Sequence, residues 1–221
     1  MTAKSKILIL GSGISGVGVA KLAQKKGLNV SLSDSKNIKS ETKKILSELG
    51  VIYEESGHTE NLIKDSNEIV ISPGIDLKSL IKSKPSLQNK NVISEIEFAS
   101  RYTNAFIIAV TGTNGKTTTS KLIYHILKNS GFNVGLAGNI GYSFSRSVSE
   151  NQFDYYVVEV SSFQLDHILN FRPDISVITN ITPDHLDRYD HKLENYINAK
   201  FNLISNQKSS DYLIYNGDCT N

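Results

Sequence analysis

The sequence predicts an α/β chain of two successive units, each a parallel sheet with helices laid across it. Two observations carry this. Apolar runs of strand length alternate with amphipathic runs of helix length through most of the 221 residues. Two of the predicted strands, Lys6–Leu10 and residues 105–110, open directly into glycine turns, Gly11-Ser12-Gly13-Ile14-Ser15-Gly16 and Gly112-Thr113-Asn114-Gly115-Lys116-Thr117-Thr118. A strand, a glycine turn and a helix in that order aim backbone N–H groups at an anion held on the positive end of the helix.

In the first unit, residues 17–26 read as a helix closed by Gly27, and Asn29–Ser33 as a second strand ending at Asp34. G-x-G-x-x-G with an acid eighteen residues past its last glycine is the dinucleotide fingerprint, the acid serving a ribose hydroxyl. The pattern specifies a diphosphate more firmly than a nicotinamide, although this unit alone reads as part of an NAD-dependent oxidoreductase. Residues 39–49 form a helix capped by Gly50, residues 51–54 a strand, and Glu68–Ile71 a strand opening into Ser72-Pro73-Gly74. Loops at the carboxyl ends of strands line the crevice of a doubly wound sheet. That places residues 11–16, Asp34 and residues 72–74 on one rim. Gly57-His58 reads either as a further part of that rim or, as is commoner for a lone loop histidine, as solvated, residues 78–90 as polar and irregular, and residues 91–93 as the strand that ends the unit. Ser94-Glu95-Ile96-Glu97 starts a short helix into the second.

The second unit opens on the buried run 105–110. Lys116 would reach the terminal phosphates of a nucleotide and the Thr117 hydroxyl would meet Mg²⁺. The match departs from G-x-x-x-x-G-K-[ST], because Val110 stands where that pattern has its first glycine. In the helix that follows, Leu122, Ile123, Ile126 and Leu127 share one stripe. Residues 132–137 form a strand ending in the loop Gly138-Asn139-Ile140-Gly141. The strand 155–160 carries a single charge, Glu159. An acid late in a strand beside a phosphate loop is where Mg²⁺ is held, the alternative being an edge carboxylate facing water. After the strand 174–178 comes Asp184-His185-Leu186-Asp187, where His185 reads either as a metal ligand or as part of a helix cap. In the helix 193–205, Leu193, Tyr196, Ile197, Phe201 and Ile204 form one apolar arc with Lys200 in its middle. That lysine either snorkels or is buried for chemistry, and the pattern alone leans to snorkelling.

The net charge of +2, with lysines and acids interleaved, gives no mandate for nucleic acid or a membrane surface. The lone cysteine, Cys219, excludes a disulfide framework and suits a reducing compartment. No apolar run approaches the ~20 residues that span a bilayer. The expectation is a cytoplasmic monomer without nucleic-acid or membrane partners.

Four segments taken in order, Gly112-Thr113-Asn114-Gly115-Lys116-Thr117-Thr118, Gly138-Asn139-Ile140-Gly141, Glu159-Val160-Ser161-Ser162 and Asp184-His185-Leu186-Asp187, resemble the motifs of the Mur ligases. Ala199-Lys200, fifteen residues past His185, matches the lysine position of that family. Residues 11–16, Ser72-Pro73-Gly74-Ile75 and Glu95-Ile96-Glu97 are similar to the branch that joins D-glutamate to UDP-N-acetylmuramoyl-L-alanine. The resemblance implies a Rossmann-like UDP-substrate-binding domain over residues 1–93 and a P-loop ATPase domain over residues 94–221, and it replaces the dehydrogenase reading. It also implies that the chain stops partway through the ATPase domain and lacks the family's third domain, so that alone it is an inactive, nucleotide-binding fragment.

The implied roles follow. Lys116 and the amides of Gly112, Thr113, Asn114, Gly115, Thr117 and Thr118 hold ATP. Thr117 and Glu159 hold one Mg²⁺ and His185 a second, while Asn139 touches the substrate or the γ-phosphate. Ile14, Ser15, Asp34, Ser35, Ser72 and Gly74 line the UDP pocket, and Lys200 is carbamylated. The implied reaction is an ATP-dependent acid–amino-acid ligation through an acyl phosphate, in peptidoglycan synthesis.

Overall fold

The computed structural model describes residues 5–217, so Cys219 lies outside the described residues. The first unit holds β1 (Lys6–Leu10), α1 (Ile14–Lys25), β2 (Asn29–Ser33), α2 (Ser40–Glu48), β3 (Ile52–Glu54), α3 (Glu60–Asp65), β4 (Glu68–Ile71), α4 (Leu77–Ser83), β5 (Asn91–Ser94) and α5 (Glu95–Ser100). Its sheet is parallel throughout, in the order β3-β2-β1-β4-β5. The order reverses at β1, and Leu10 pairs with Ser33 on one side and Ile71 on the other. That register brings the ends of β1, β2 and β4 level.

Side chains of β1 alternate between two layers. Leu8 and Leu10 join Ile63, Ile69, Ile71 and Leu87 in a core covered by Leu77, Leu80 and Ile81. Ile9 faces α1 at Gly16, where an added Cβ would lie 3.2 Å from its Cγ2. Each such leucine, fully buried, contributes roughly 2 kcal/mol.

The segment 78–90, read as irregular, is ordered as α4 and a 3₁₀ turn, Pro85–Asn89. Asp76 starts it by accepting from the Lys78 N–H at 3.1 Å, a cap that fixes the first turn of a short helix whose Leu77, Leu80 and Ile81 pack on the core.

The rest of the chain holds β6 (Phe106–Thr111), α6 (Lys116–Asn129), β7 (Val134–Gly138), α7 (Phe144–Glu150), β8 (Tyr155–Glu159), α8 (Ser162–Leu165), β9 (Ile175–Ile178), α9 (Leu193–Phe201) and β10 (Tyr212–Tyr215), all but α7 belonging to the second unit. Its sheet is again parallel, ordered β10-β9-β6-β8-β7. β6 is the switch point between β8 and β9, so the loop after it sits where ligands bind in this architecture. Ile108, Val110, Val134, Val157 and Val177 form the core, and α6 covers it with Ile123, Tyr124 and Leu127. The stripe expected on α6 is therefore only half buried: Leu122 and Ile126 are more than half exposed. All of β10 is exposed at the sheet edge. A largely apolar cavity of about 450 Å³ lies beside it, lined by Ile178, Ile181, Leu193, Ile197, Phe201 and Leu213 among others.

The compact units do not divide at residue 93. The first runs to Ala99 and also takes in Ser143–Glu150, so α7 belongs with it in space. Lys21 pairs with Glu150 at 3.1 Å, and Lys25 donates to the Ser149 carbonyl at 2.5 Å. The Ser145 N–H donates to the buried carboxylate of Glu95, which burial pushes up to about 7. No helix among the described residues is long and apolar enough to cross a membrane.

Candidate functional site

On the first unit, the residues expected to line a UDP pocket stand at the carboxyl ends of β1, β2 and β4. Ser12 donates twice to Asp34 Oδ2, through its N–H at 2.7 Å and its hydroxyl at 2.6 Å, and the Lys36 N–H donates to Oδ1 at 2.9 Å. Burial raises the Asp34 carboxyl, but the bonds from Ser12 and Lys36 outweigh it and hold the group below its ordinary range. Asp34 is thus first of all the anchor of the glycine loop, with lone-pair capacity left for a ligand hydroxyl. Ile14, Ser35 and Gly74 are exposed, Ser15 is half-buried, and the Ser72 hydroxyl is buried without a hydrogen-bond partner.

His58 departs from expectation: it is buried, not solvated. The buried Ser33 hydroxyl lies 2.6 Å from His58 Nδ1 and 2.7 Å from Glu54 Oε1, which gives the imidazole the partner that water would otherwise supply. Burial lowers the His58 pKa, against the opposing pull of Glu54 and Asp34.

On the second unit the loop expected to cradle phosphate runs from Gly112 to Thr118. Gly112 has φ 145°, and a Cβ there would lie 1.9 Å from Thr179 Oγ1, so only glycine fits. Lys116 folds back, donating to the carbonyls of Gly112 at 3.0 Å and Thr113 at 2.8 Å. Thr117 Oγ1 donates to Glu159 Oε2 at 2.5 Å, and Asn139 Nδ2 donates to Glu159 Oε1 at 3.3 Å. Glu159 is buried and on an interior strand, not an edge, so the alternative of a solvated carboxylate falls. A hydroxyl and a carboxylate converging beside a phosphate loop suit a hard cation that takes its remaining ligands from phosphate and water.

Lys200 does not snorkel. It is 1% exposed, donates to the Gly112 carbonyl at 2.7 Å and lies 4.5 Å from the centre of the Tyr196 ring. Burial first, and then the neighbouring Lys116 charge, lowers its pKa to about 8. The Tyr196 hydroxyl is 3.2 Å from Thr113 Oγ1, which itself donates to the Thr182 carbonyl at 3.0 Å. The apolar arc read on α9 therefore closes around a polar knot under the loop, although Phe201 stays exposed.

His185 is held differently. Its ring packs on Phe163, with centroids 5.1 Å apart, and Nε2 lies 3.6 Å from Asp184 Oδ2. Among the described residues no group of three or more His, Cys, Asp or Glu could hold a metal ion. Thr117, Asn139 and Glu159 are thus gathered by direct bonds, whereas His185 stands on its own loop.

Residues 110–221 match the Mur ligase middle domain, and residues 6–81 match the MurD N-terminal domain. The chain belongs to the Mur ligase family. Within this family it is 53% identical, over 96% of its length, to the UDP-N-acetylmuramoylalanine–D-glutamate ligase of Bacteroides fragilis, and 52% identical, over the same share, to that of Bacteroides thetaiotaomicron. The chain spans about half the length of these curated relatives, 48% in both cases.

Among solved Mur ligase structures, the UDP-N-acetylmuramate:L-alanyl-gamma-D-glutamyl-meso-diaminopimelate ligase of Neisseria meningitides superposes with a TM-score of 0.61 at 23% identity, covering 99% of this chain and 73% of that one. The UDP-N-acetylmuramate-alanine ligase of Thermotoga maritima gives 0.58 at 20% identity, covering 98% and 50%. At such identities these two speak for the Mur ligase fold alone.

Proposed function

We propose that this chain supplies the UDP-substrate-binding and ATP-binding parts of an enzyme that joins D-glutamate to UDP-N-acetylmuramoyl-L-alanine in peptidoglycan synthesis. The observation that carries the reading is the Lys116–Thr117–Glu159–Asn139 constellation at the switch point of the second sheet. The naming of relatives about half identical in sequence supports the choice of substrate.

A carboxylate is a poor electrophile at neutral pH, so the chemistry begins by activating it. The substrate's terminal carboxylate oxygen forms a bond to the γ-phosphorus of ATP, the bridge to ADP breaks, and an acyl phosphate results. The amine of D-glutamate then attacks the acyl carbon, loses a proton, and inorganic phosphate leaves from the tetrahedral intermediate. Most of the protein's work in the first step is positioning and charge neutralisation.

Lys116 is the cation for the β- and γ-phosphates. Its present acceptors, two loop carbonyls, are ones a phosphate can replace. Thr117 and Glu159 would hold Mg²⁺, which when bound neutralises the phosphate oxygens. Asn139, hydrogen-bonded to Glu159, orients that carboxylate and presents an exposed amide edge. His185 would serve a second cation near the acceptor carboxylate. Ile14, Ser15, Asp34, Ser35, Ser72 and Gly74 would receive the uridine diphosphate.

Lys200 we assign as the site of carbamylation. Its lowered pKa leaves about a tenth of the amine neutral at pH 7. The neutral amine attacks CO₂, forms an N–C bond and releases one proton, leaving a carbamate. This exchanges a cation crowded by Lys116 for an anion.

The curated relatives are about twice as long, and the full reaction is the one proposed at their length. Phosphate release by a protein of the relatives' length carrying these residues, dependent on both the UDP-substrate and D-glutamate, tests the assignment. Release that ignores D-glutamate but responds to another amino acid would reassign the acceptor.

A further inference from the structure

Asn180 lies just past β9. Its carboxamide meets one residue of the phosphate loop twice: Oδ1 accepts from the Asn114 N–H and Nδ2 donates to the Asn114 carbonyl, each at 3.0 Å. The pairing fixes the carboxamide's orientation, since the flipped one would face N–H with NH₂ and carbonyl with carbonyl. Thr179 Oγ1 donates to the same Asn114 carbonyl at 2.7 Å, and the Asn180 carbonyl accepts from the Thr113 N–H at 2.8 Å. The far side of the loop is therefore stitched to the end of β9 as an added strand would be.

This matters for what the loop can bind. Gly112 and Gly115 both have positive φ, so the backbone between them has many conformations to lose on ordering. A loop ordered before its ligand arrives spares binding that cost. The Asn114 N–H is committed to Asn180 and is removed from the set of phosphate donors. The N–H groups of Lys116, Thr117 and Thr118, in the first turn of α6, have no intrahelical acceptor and remain for the anion.

We propose that Asn180 is a positioning residue for phosphate binding, acting through the Asn114 peptide. The proposal rests on reading residues 112–118 as a phosphate loop.

The test uses this chain as wild type, Asn180→Ala and Asn180→Gln, with inorganic tripolyphosphate and Mg²⁺ as the probe. Amide exchange at Thr113 and Asn114, tripolyphosphate affinity, UDP affinity and the thermal midpoint are measured. Alanine deletes both side-chain bonds. Glutamine keeps charge and polarity but displaces the carboxamide by a methylene, and it decides the matter if the alanine chain does not fold. The expected result is faster exchange at Asn114 and about a tenfold weaker tripolyphosphate Kd in both variants. UDP affinity should stay unchanged, a split that loss of fold stability alone would not give. Variants that bind tripolyphosphate like the wild type overturn the inference while leaving the loop's phosphate role intact. A wild type that ignores tripolyphosphate overturns the phosphate-loop reading, and this inference with it.

Discussion

Lys200 and Lys116 donate to the same acceptor, the carbonyl of Gly112, at 2.7 and 3.0 Å. Two ammonium groups on one carbonyl repel each other, and only one of them is buried out of water's reach. Burial first, and then the Lys116 charge, lowers the Lys200 pKa from 10.5 to about 8. A phosphate drawing Lys116 away would relieve the repulsion, and so would converting Lys200 to a carbamate.

Substitution separates the two ways of using Lys200. In a protein of the relatives' length carrying these residues, Lys200→Arg keeps a cation but cannot form a carbamate, and it should lose nearly all activity. Lys200→Ala should be equally inactive yet regain activity when small carboxylic acids are supplied. An active arginine variant, with no response to added acids, would leave Lys200 as an ordinary cation.

The same lysine predicts a pH dependence of stability. In the unfolded chain it binds a proton up to about 10.5, in the folded chain only up to about 8. Between those values the unfolded state holds more protons, so stability rises with pH by up to about 3 kcal/mol from this group. Below 8 both states are protonated and the penalty is complete. Lys200→Met should flatten that rise in melting experiments at pH 8 to 10.

Glu95 gives the opposite sign at lower pH. Burial raises its carboxyl from 4.5 to about 7, so the folded state holds the extra proton in that window. Stability from this group is full below 4.5 and falls as pH rises toward 7, by up to about 3 kcal/mol. Glu95→Gln should remove that slope and raise the melting midpoint at pH 8. A midpoint that falls at every pH would mean that the ionised carboxylate is needed to hold α7.

Gly112→Ala should prevent the loop from forming. Its Cβ would fall 1.9 Å from Thr179 Oγ1 and 3.1 Å from the Asn180 carbonyl, at a φ that side chains avoid. A cost of at least about 2 kcal/mol is expected, together with loss of polyphosphate binding. Wild-type affinity in this variant would show that the loop is not held as described.

Much of this was legible in the sequence because backbone requirements and chemistry coincide. Glycine turns after apolar strands located both loops, and Lys116, Thr117 and Glu159 fell together because level strand ends bring them together. What was hidden lacked an apolar signature. α7 buries Ser145, Ser147 and Ser149 beside Phe144, so hydrophobic periodicity passes over it. His58 is buried by a hydroxyl and a carboxylate from other strands, a long-range partnership that local composition does not encode. Asn180 works through the main chain of Asn114, which no side-chain motif reveals. Lys200 was visible as an anomaly in an apolar arc, but its depth was settled by the knot of Tyr196 and Thr113 beneath the loop.

The central claim is that one chain carries two phosphate sites, one for a uridine diphosphate and the other for ATP. Calorimetry on the 221-residue chain with UDP, NADH and Mg-ATP, repeated with Asp34→Ala and Lys116→Ala, tests it directly. The account predicts that UDP and Mg-ATP each bind, that NADH does not, that Asp34→Ala weakens UDP alone, about tenfold or more, and that Lys116→Ala weakens Mg-ATP alone. Tight NADH binding that is lost in Asp34→Ala, with no response to UDP, would contradict it.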